Sequence, residues 1–367
     1  MQILTVDVGT GTQDVLLFDS DREIENCFKL VMPSPTVVAA DRVRAATIAR
    51  QRLVLQGVTM GGGPSHWATM DHVRAGLEAF ATPDAARTFD DDLDSVKEMG
   101  IRVISDDEAI RLVDGGAQRV FMRDLALGHI LQTLASFGVN VRLAALAVAV
   151  FDHGAAPPGF SDRVFRFNYL RERLAAGLGL AGFAFPRDDV PDSMTRLKAV
   201  ASTAPSDLPL LLMDTAPAAI IGALEDPTVR AASNPIVANV GNFHTLAFHL
   251  ADAEVAGLFE HHTGELSAAS LRHYVEQLGE GSISNAEVFA DKGHGAIVLD
   301  SSAPQPDFLA VTGPRRKLMH DTGLEPYLAV PHGDMMLAGN LGLLRAYSVH
   351  NPAIREAVEM RLGPLDR

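Results

Sequence analysis

Two short turns in the sequence carry residue types that bind phosphate. The first, DVGTGTQD at residues 7–14, lies between two apolar runs that predict strands. Glycines in such a turn allow positive φ and let backbone N–H groups approach an anion, while hydroxyl and amide side chains add donors. Asp7, at the end of the first strand, is placed to hold Mg²⁺ beside a polyphosphate. The candidate phosphate ligands are Gly9, Thr10, Gly11, Thr12 and Gln13.

The second turn repeats this design far along the chain, in PIVANVGNFHTLAFHLAD at residues 235–252. Taken singly, each turn is equally consistent with an ordinary β-hairpin. Because two matching turns occur in one chain, the sequence favours phosphate binding between two domains of related build. The candidate ligands in this second turn are Asn239, Gly241, Asn242, His244 and Thr245.

Length and residue pattern predict the elements that position these turns. A chain of 367 residues is too long for one compact core and predicts two domains. Its 47% hydrophobic and 21% charged residues are typical of a well-packed protein. Short apolar runs alternate with helix-like stretches, which predicts an α/β fold.

Charge and cysteine content exclude several classes of function. A net charge of −15 argues against a nucleic-acid partner. The apolar run at 141–151 is too short to span a bilayer and contains Arg142, so we expect no membrane partner. No signal peptide is expected before Ile3, which predicts a cytoplasmic protein; the oligomeric state stays open. The single cysteine, Cys27, excludes a disulfide framework, a zinc knuckle and a cysteine-bound iron–sulfur cluster within this chain.

Five segments together resemble the motifs of the actin, sugar-kinase and heat-shock-chaperone ATPase superfamily. The resemblance implies two ribonuclease-H-like domains around a nucleotide cleft, with ATP and Mg²⁺ as cofactors. It implies a first domain at 1–222, completed by a helix at 345–367, and a second domain at 223–344. The segments are the two phosphate motifs at 7–19 and 238–248, an adenosine motif at 307–319 and two connecting helices at 210–224 and 333–347.

The resemblance also implies roles for single residues. Asp214, which opens the first connecting segment, corresponds to a general base toward a substrate hydroxyl or water; the alternative is an ordinary helix N-cap. Asp14 has two possible interpretations: it belongs to the site, or it only faces solvent at the start of the second strand. Two departures stand out, because Pro314 replaces a glycine and neither phosphate turn contains lysine or arginine. Further candidate nucleotide contacts are Gly313, Pro314, Gly333 and Asp334.

A narrower resemblance rests on three other segments. TMGGGPSHWATMDH (59–72), GLFEHHTGEL (257–266) and DKGHGAIVLD (291–300) resemble a bacterial and archaeal family of unknown function labelled "putative pyruvate formate-lyase activating enzyme". Such an activase is a radical enzyme whose cluster needs three cysteine thiolates. Because this chain has one cysteine, we reject that activity and keep the fold.

Histidines near glycines are candidates for a substrate pocket or a metal site. Residues 61–67, GGGPSHW, predict a substrate-side loop of the first domain that includes His66 and Trp67. His261 and His262 are adjacent, so in a strand they would point to opposite faces and would not chelate one ion together. No ligand spacing predicts a defined zinc site, and hydrogen-bonded loop histidines are the alternative.

These observations leave three functions open. The first is an ATP-dependent phosphotransferase or ATPase acting on an unknown small molecule. The second is a nucleotide-dependent activator or switch, in which the conformation of the cleft is the output. The third is a histidine-rich cleft that binds another ligand without nucleotide, an alternative favoured by the missing basic residues in the turns.

Overall fold

A computed structural model describes residues 1–157, 159–177 and 179–364. The strands are β1 (Gln2–Val8), β2 (Thr12–Asp19), β3 (Phe28–Pro33), β4 (Leu53–Gly57), β5 (Ala79–Ala81), β6 (Ile101–Val103), β7 (Gln118–Met122), β8 (Leu143–Val150), β9 (Ala184–Pro186), β10 (Leu210–Asp214), β11 (Pro235–Val240), β12 (His244–Ala251), β13 (Glu254–His262), β14 (Gly295–Val298), β15 (Phe308–Thr312) and β16 (Tyr327–Leu328). The helices are α1 (Pro35–Ile48), α2 (Pro64–Arg74), α3 (Pro83–Ala86), α4 (Leu93–Glu98), α5 (Asp106–Asp114), α6 (Leu127–Ser136), α7 (Asp162–Ala175), α8 (Thr195–Thr203), α9 (Thr215–Ala223), α10 (Pro227–Arg230), α11 (Ala268–Gly279), α12 (Asn285–Ala290), α13 (Lys317–His320), α14 (Ala338–His350) and α15 (Pro352–Leu362).

The first sheet has the strand order β3-β2-β1-β8-β10-β9. Strands β1, β2 and β3 form an antiparallel meander, and β8 and β10 continue the sheet parallel to β1. The central strands are buried on both faces, which explains why LAALAVAV in β8 is apolar without alternation.

The second sheet repeats this arrangement with the order β14-β13-β12-β11-β15-β16. Strands β11, β12 and β13 are antiparallel, and β15 and β16 run parallel to β11. A three-stranded meander followed by parallel strands on the far side of its first strand is the topology of a ribonuclease-H-like domain. The predicted α/β fold with two related halves is therefore confirmed.

A third sheet was not predicted from the sequence. Its order is β6-β5-β4-β7, all strands are parallel, and it lies between β3 and β8 in the chain. Strand-like apolar runs at 52–59 and 101–104 do contain β4 and β6. Strand β5 has only three residues, too few for a periodic pattern to identify, and β7 lies in no such run, so the sequence did not indicate a sheet here.

Helices α9 and α14 cross where the two large sheets meet. A Cβ at Gly222 would overlap the carbonyl oxygen of Ala338, and one at Gly342 would overlap that of Ala218. The two backbones therefore touch with no side chain between them. Apolar residues of both helices share one core with both sheets, from Phe18 in the first to Phe248 in the second.

None of the described helices is long and apolar enough to cross a membrane. The apolar run predicted at 141–151 forms β8, which is hydrogen-bonded on both sides within the first sheet.

Candidate functional site

A cleft of about 940 Å³ lies between the first and second sheets. This volume is at the upper end of the range for small-molecule sites. Both predicted phosphate turns line it, together with the start of α9 and the start of α14. The predicted ligands that line the cleft are Asp7, Gly9, Thr10, Thr12, Asn239, Gly241, Asn242, His244, Gly313 and Pro314.

The two turns are closed by the same hydrogen bond. In the first, the Gly9 N–H donates to the Thr12 carbonyl oxygen over 2.9 Å, and in the second the Gly241 N–H donates to the His244 carbonyl oxygen, also over 2.9 Å. The two hairpins are therefore equivalent in geometry as well as in topology.

The turn glycines serve close approach rather than positive φ. Gly9, Gly11 and Gly241 do not adopt the positive φ that glycine allows. A Cβ at Gly11 would instead lie 2.5 Å from Asn242 Nδ2, so the first turn touches the second. Gly313 does have a positive φ, of 96°, and a Cβ there would overlap Asn239 Oδ1.

Five predicted nucleotide contacts lie outside the cleft lining: Gly11, which instead approaches Asn242, and the four residues described next. Gln13 donates from Nε2 to the Pro33 carbonyl oxygen over 3.0 Å. Thr245 is buried and its hydroxyl pairs with that of Thr263 at 2.9 Å. Gly333 and Asp334 precede the short 3-10 turn Met335–Leu337, where the Asp334 carboxylate accepts from the Met336 N–H as its N-cap.

A pair of carboxyl groups lies on the first-sheet side of the cleft. Asp7 on β1 is opposite Asp14 on β2, and Asp7 Oδ1 accepts a hydrogen bond of 2.5 Å from Thr215 Oγ1. Burial raises the pKa of Asp7 to about 6. Burial, together with the negative charges of Asp7 and Asp334, raises the pKa of Asp14 to about 8. Asp14 is only 9% exposed, so the solvent-facing interpretation is wrong.

Asp214 occupies the position predicted for it, but both of its carboxylate oxygens accept hydrogen bonds from other protein groups. It is the N-cap of α9, where Oδ1 accepts from the Ala216 N–H over 3.0 Å. Its other oxygen, Oδ2, accepts from Arg166 over 2.7 Å. The cleft wall at this point is formed by Thr215 and Ala216 instead. The geometry thus supplies the N-cap, and the role of general base stays a prediction that this geometry disfavours.

Arg166 on α7 is fully buried and joins the two halves. It donates to Asp214 and to both oxygens of Glu260 on β13, with the shortest bond to Glu260 at 2.7 Å. Burial alone would raise the pKa of Glu260, but Arg166 and His294 hold it well below its usual range. Arg166 was not among the predicted site residues, because helix α7 was not predicted.

Three histidines converge on the cleft floor. Candidate ligand nitrogens of His153, His244 and His294 lie within 4.8 Å of one another. Burial and the neighbouring His294 lower the pKa of both His153 and His244 well below the usual value. His244 was a predicted phosphate ligand and His294 lies in the segment 291–300 identified from the sequence, whereas His153 was not predicted. The available signal for His153 is the polar Asp-His-Gly that follows the apolar run at 141–151.

The four predicted substrate residues do not share one pocket, although Trp67 and His262 both line a second, smaller one. His261 and His262 lie on opposite faces of β13: His261 contacts Tyr274, with ring centroids 5.8 Å apart, whereas the His262 ring is 4.6 Å from that of His294. His66 on α2 packs against Phe89, with ring centroids 5.4 Å apart.

Trp67 lies on the outer side of the same helix. It is 53% exposed, and its ring centroid is 5.9 Å from that of Phe243. The glycines that precede α2, at residues 61–63, do line the cleft.

The cleft is also lined by a basic side chain, which both turns lack. Arg196 on α8 lines the cleft, but it pairs with both oxygens of Asp124 at 2.7 and 3.0 Å. Asp152 lines the cleft too, and its oxygens accept from the N–H groups of Gly154 and Leu197. Burial raises the pKa of Asp152 to about 6. Neither residue was predicted from the sequence.

Several solved structures are similar to this chain. A ROK family transcriptional regulator, described as a homologue of the E. coli MLC protein, is 10% identical with a TM-score of 0.26. The match covers 69% of this chain and 37% of that one, so the chain spans little more than a third of the regulator. Ethanolamine utilization protein EutJ from Carboxydothermus hydrogenoformans is 14% identical with a TM-score of 0.32, covering 94% of this chain and 89% of that one. An exopolyphosphatase-like protein is 8% identical with a TM-score of 0.29, covering 99% and 92%.

No curated protein sequence matches the chain significantly. A family model does match, over residues 60–318, which is more than half of the chain. Apart from Thr59, that stretch includes the three segments on which the narrower resemblance rests. The chain belongs to the family described as "Putative pyruvate format-lyase activating enzyme (DUF1786)".

Proposed function

We infer that the cleft binds a nucleoside triphosphate with Mg²⁺ and that the protein hydrolyses or transfers the terminal phosphate. The observation that carries this function is the pair of turns. They have the same closing hydrogen bond, belong to sheets of the same topology and line one cleft from its two sides. Backbone N–H groups from two such turns can hold a polyphosphate between them.

The carboxyl pair fits a hard divalent cation. Asp14 Oδ1 is buried and accepts no hydrogen bond from the described protein atoms, and Asp7 faces it across the hairpin. Carboxylate oxygens are the ligands that Mg²⁺ prefers, and the ion is usually shared with substrate phosphates. When bound, Mg²⁺ would neutralise phosphate charge, a task that lysine and arginine perform elsewhere. Asp7, fixed by Thr215, would orient the ion from the cleft floor.

The position of Asp214 bears on the type of reaction. A base toward a substrate hydroxyl must reach the cleft, but both oxygens of Asp214 are occupied by Ala216 and Arg166. We therefore favour hydrolysis over transfer to a small-molecule hydroxyl. A nucleotide-dependent switch is the second candidate, favoured by the direct backbone contact of α9 and α14 between the halves.

The activity in the family's label does not fit this chain. A radical activase needs three thiolates for its cluster, and Cys27 is the single cysteine. Cys27 is buried beside Asp19, with its sulfur 3.4 Å from the Asp19 nitrogen, away from the cleft. We derive no step through such a cluster.

Thermal unfolding with and without Mg·ATP tests the proposed function. A ligand at one hundred times its dissociation constant stabilises the folded state by about 2.7 kcal/mol. We expect a rise in melting temperature at millimolar Mg·ATP and a smaller rise when EDTA replaces Mg²⁺. An Asp7→Asn variant should show a smaller difference between the two conditions, because it lacks one of the two carboxylates for the ion.

The matched control is Asp41→Asn, which removes an exposed carboxylate on α1 and should behave as the wild type. A wild-type protein whose melting temperature does not respond to millimolar Mg·ATP would rule out both the ATPase and the switch.

A further inference from the structure

Three histidines from separate parts of the chain meet at the cleft floor. His153 follows β8 in the first sheet, whereas His244 opens β12 and His294 precedes β14 in the second. We propose that their imidazoles bind one divalent transition metal ion of the zinc class, which joins the two halves of the molecule. This site does not depend on nucleotide binding.

Two of the rings have a nitrogen available for a metal. His244 Nε2 is buried without a hydrogen-bond partner among the described protein atoms. His294 Nδ1 contacts Glu260 Oε1, which leaves its Nε2 to face the other histidines. A carboxylate behind a ligating histidine is the usual outer partner in zinc sites, where it fixes the ring and raises its basicity.

The rings are also held in place. The Phe151 ring stacks on His244, with centroids 4.0 Å apart and planes 6° from parallel. The Glu260 carboxylate that contacts His294 also accepts hydrogen bonds from Arg166. The orientation of both second-sheet ligands is therefore set by packing and hydrogen bonds before any ion arrives, which lowers the entropy lost on binding.

The geometry points to an open three-histidine site. Zinc–nitrogen bonds of 2.0–2.1 Å at tetrahedral angles place ligand nitrogens about 3.3 Å apart. The nitrogens lie within 4.8 Å of one another, so side-chain movements of about 1 Å close the site. His153 and His244 line the cleft, which leaves a fourth position facing it. Imidazole ligands select zinc-class ions, in contrast to the carboxylates at Asp7.

Zinc binding to the untagged, chelator-stripped full chain tests this site. We expect one Zn²⁺ per chain in competition with a chromophoric chelator, and a tetrahedral absorption spectrum when Co²⁺ is used instead. His153→Asn and His244→Asn should each weaken Zn²⁺ binding at least about 100-fold, because each removes one of three ligands. These two residues face the cleft, so their replacement leaves the buried core intact, and thermal melting of the metal-free variants checks this.

Two controls separate this site from chance binding. His129→Asn removes an exposed histidine on α6 and should leave the affinity unchanged. His262→Asn removes the nearest other histidine and should change it less than threefold. The proposal is overturned if the wild type binds no stoichiometric Zn²⁺, if both His153→Asn and His244→Asn bind as the wild type does, or if His262→Asn weakens binding as strongly as they do.

Discussion

The two hairpins of the cleft share one backbone design but present opposite chemistry. On the first, Asp7 pairs with Asp14; at the equivalent positions of the second, Asn239 pairs with Leu246. The difference shows that a shared topology does not determine which kind of ligand each side of the cleft can bind.

The residues that end the turns differ in the same way. Thr12 closes the first turn, and His244 takes the equivalent place in the second, where two further histidines approach it. One side of the cleft thus offers oxygen ligands and the other offers nitrogen ligands, although the two backbones are built alike.

The largest expected effect on stability comes from removing the ion pairs that join the two sides of the cleft. Arg166→Met leaves Asp214 and Glu260 buried without their common partner, and breaking a buried ion pair costs about 3–5 kcal/mol. Urea denaturation should show this loss in free energy of unfolding. Arg171→Met, an exposed change on the same helix, is the matched control and should stay within about 0.5 kcal/mol of the wild type. A loss below 1 kcal/mol for Arg166→Met would mean that the two sides are joined by other contacts.

The next largest effect on stability comes from forcing apart helices α9 and α14, which meet between the two large sheets. Gly222→Ala places a methyl group where the Ala338 carbonyl oxygen lies, and such overpacking costs about 1–3 kcal/mol. The melting temperature should fall accordingly. Gly128→Ala provides the comparison, because this helical glycine has open space around it and alanine there should be neutral or slightly stabilising. Equal effects of the two substitutions would contradict the close crossing.

The smallest effect concerns the oxygen side alone. The pKa of Asp14 is about 8 in the folded chain, above its unfolded value near 3.8, so the folded state binds more protons between these pH values. This contribution to stability is fully present below pH 3.8 and is lost as the pH rises through 8. In Mg²⁺-free buffer, Asp14→Asn should flatten the dependence and be more stable than the wild type at pH 9.

Two measurements sharpen that last comparison. Asp207→Asn, an exposed change, should leave the pH dependence as it is. Zn²⁺ affinity of Asp14→Asn should equal that of the wild type, since the nitrogen ligands lie on the other side. A variant that keeps the wild-type slope between pH 4 and 8 would show that Asp14 does not titrate in this range.

The sequence predicted the fold through strong local signals. Both hairpins combine apolar strands with a glycine turn, and each lies where its motif was identified. The third sheet was missed because β5 and β7 gave no periodic signal to join the apolar runs that contain β4 and β6. Gly9 and Gly11 do not use the positive φ that the turn allows: a Cβ at Gly9 would crowd the Thr12 carbonyl oxygen of the same turn, and one at Gly11 would overlap Asn242 of the other turn.

The site itself was less predictable, because it depends on contacts between distant segments. Asp7 could be placed from its own hairpin, but the burial of Asp14 could not. The partner that occupies Asp214 comes from α7, and nothing local in the sequence indicates that Arg166 points inward. The same holds for His153, whose neighbours in space lie on the other sheet.

The crossing of α9 and α14 determines how the cleft can open. Because backbone meets backbone at Gly222 and Gly342, sliding one helix along the other would drive atoms into contact, whereas a small rotation about the crossing would not. Displacement in a rotation grows with distance from its axis. Thr215 and Gly339 line the cleft from the first turns of these two helices, whereas the cleft-lining residues 90–93 belong to neither helix. A rotation about the crossing would therefore move ligand atoms beside Thr215 and Gly339 only slightly.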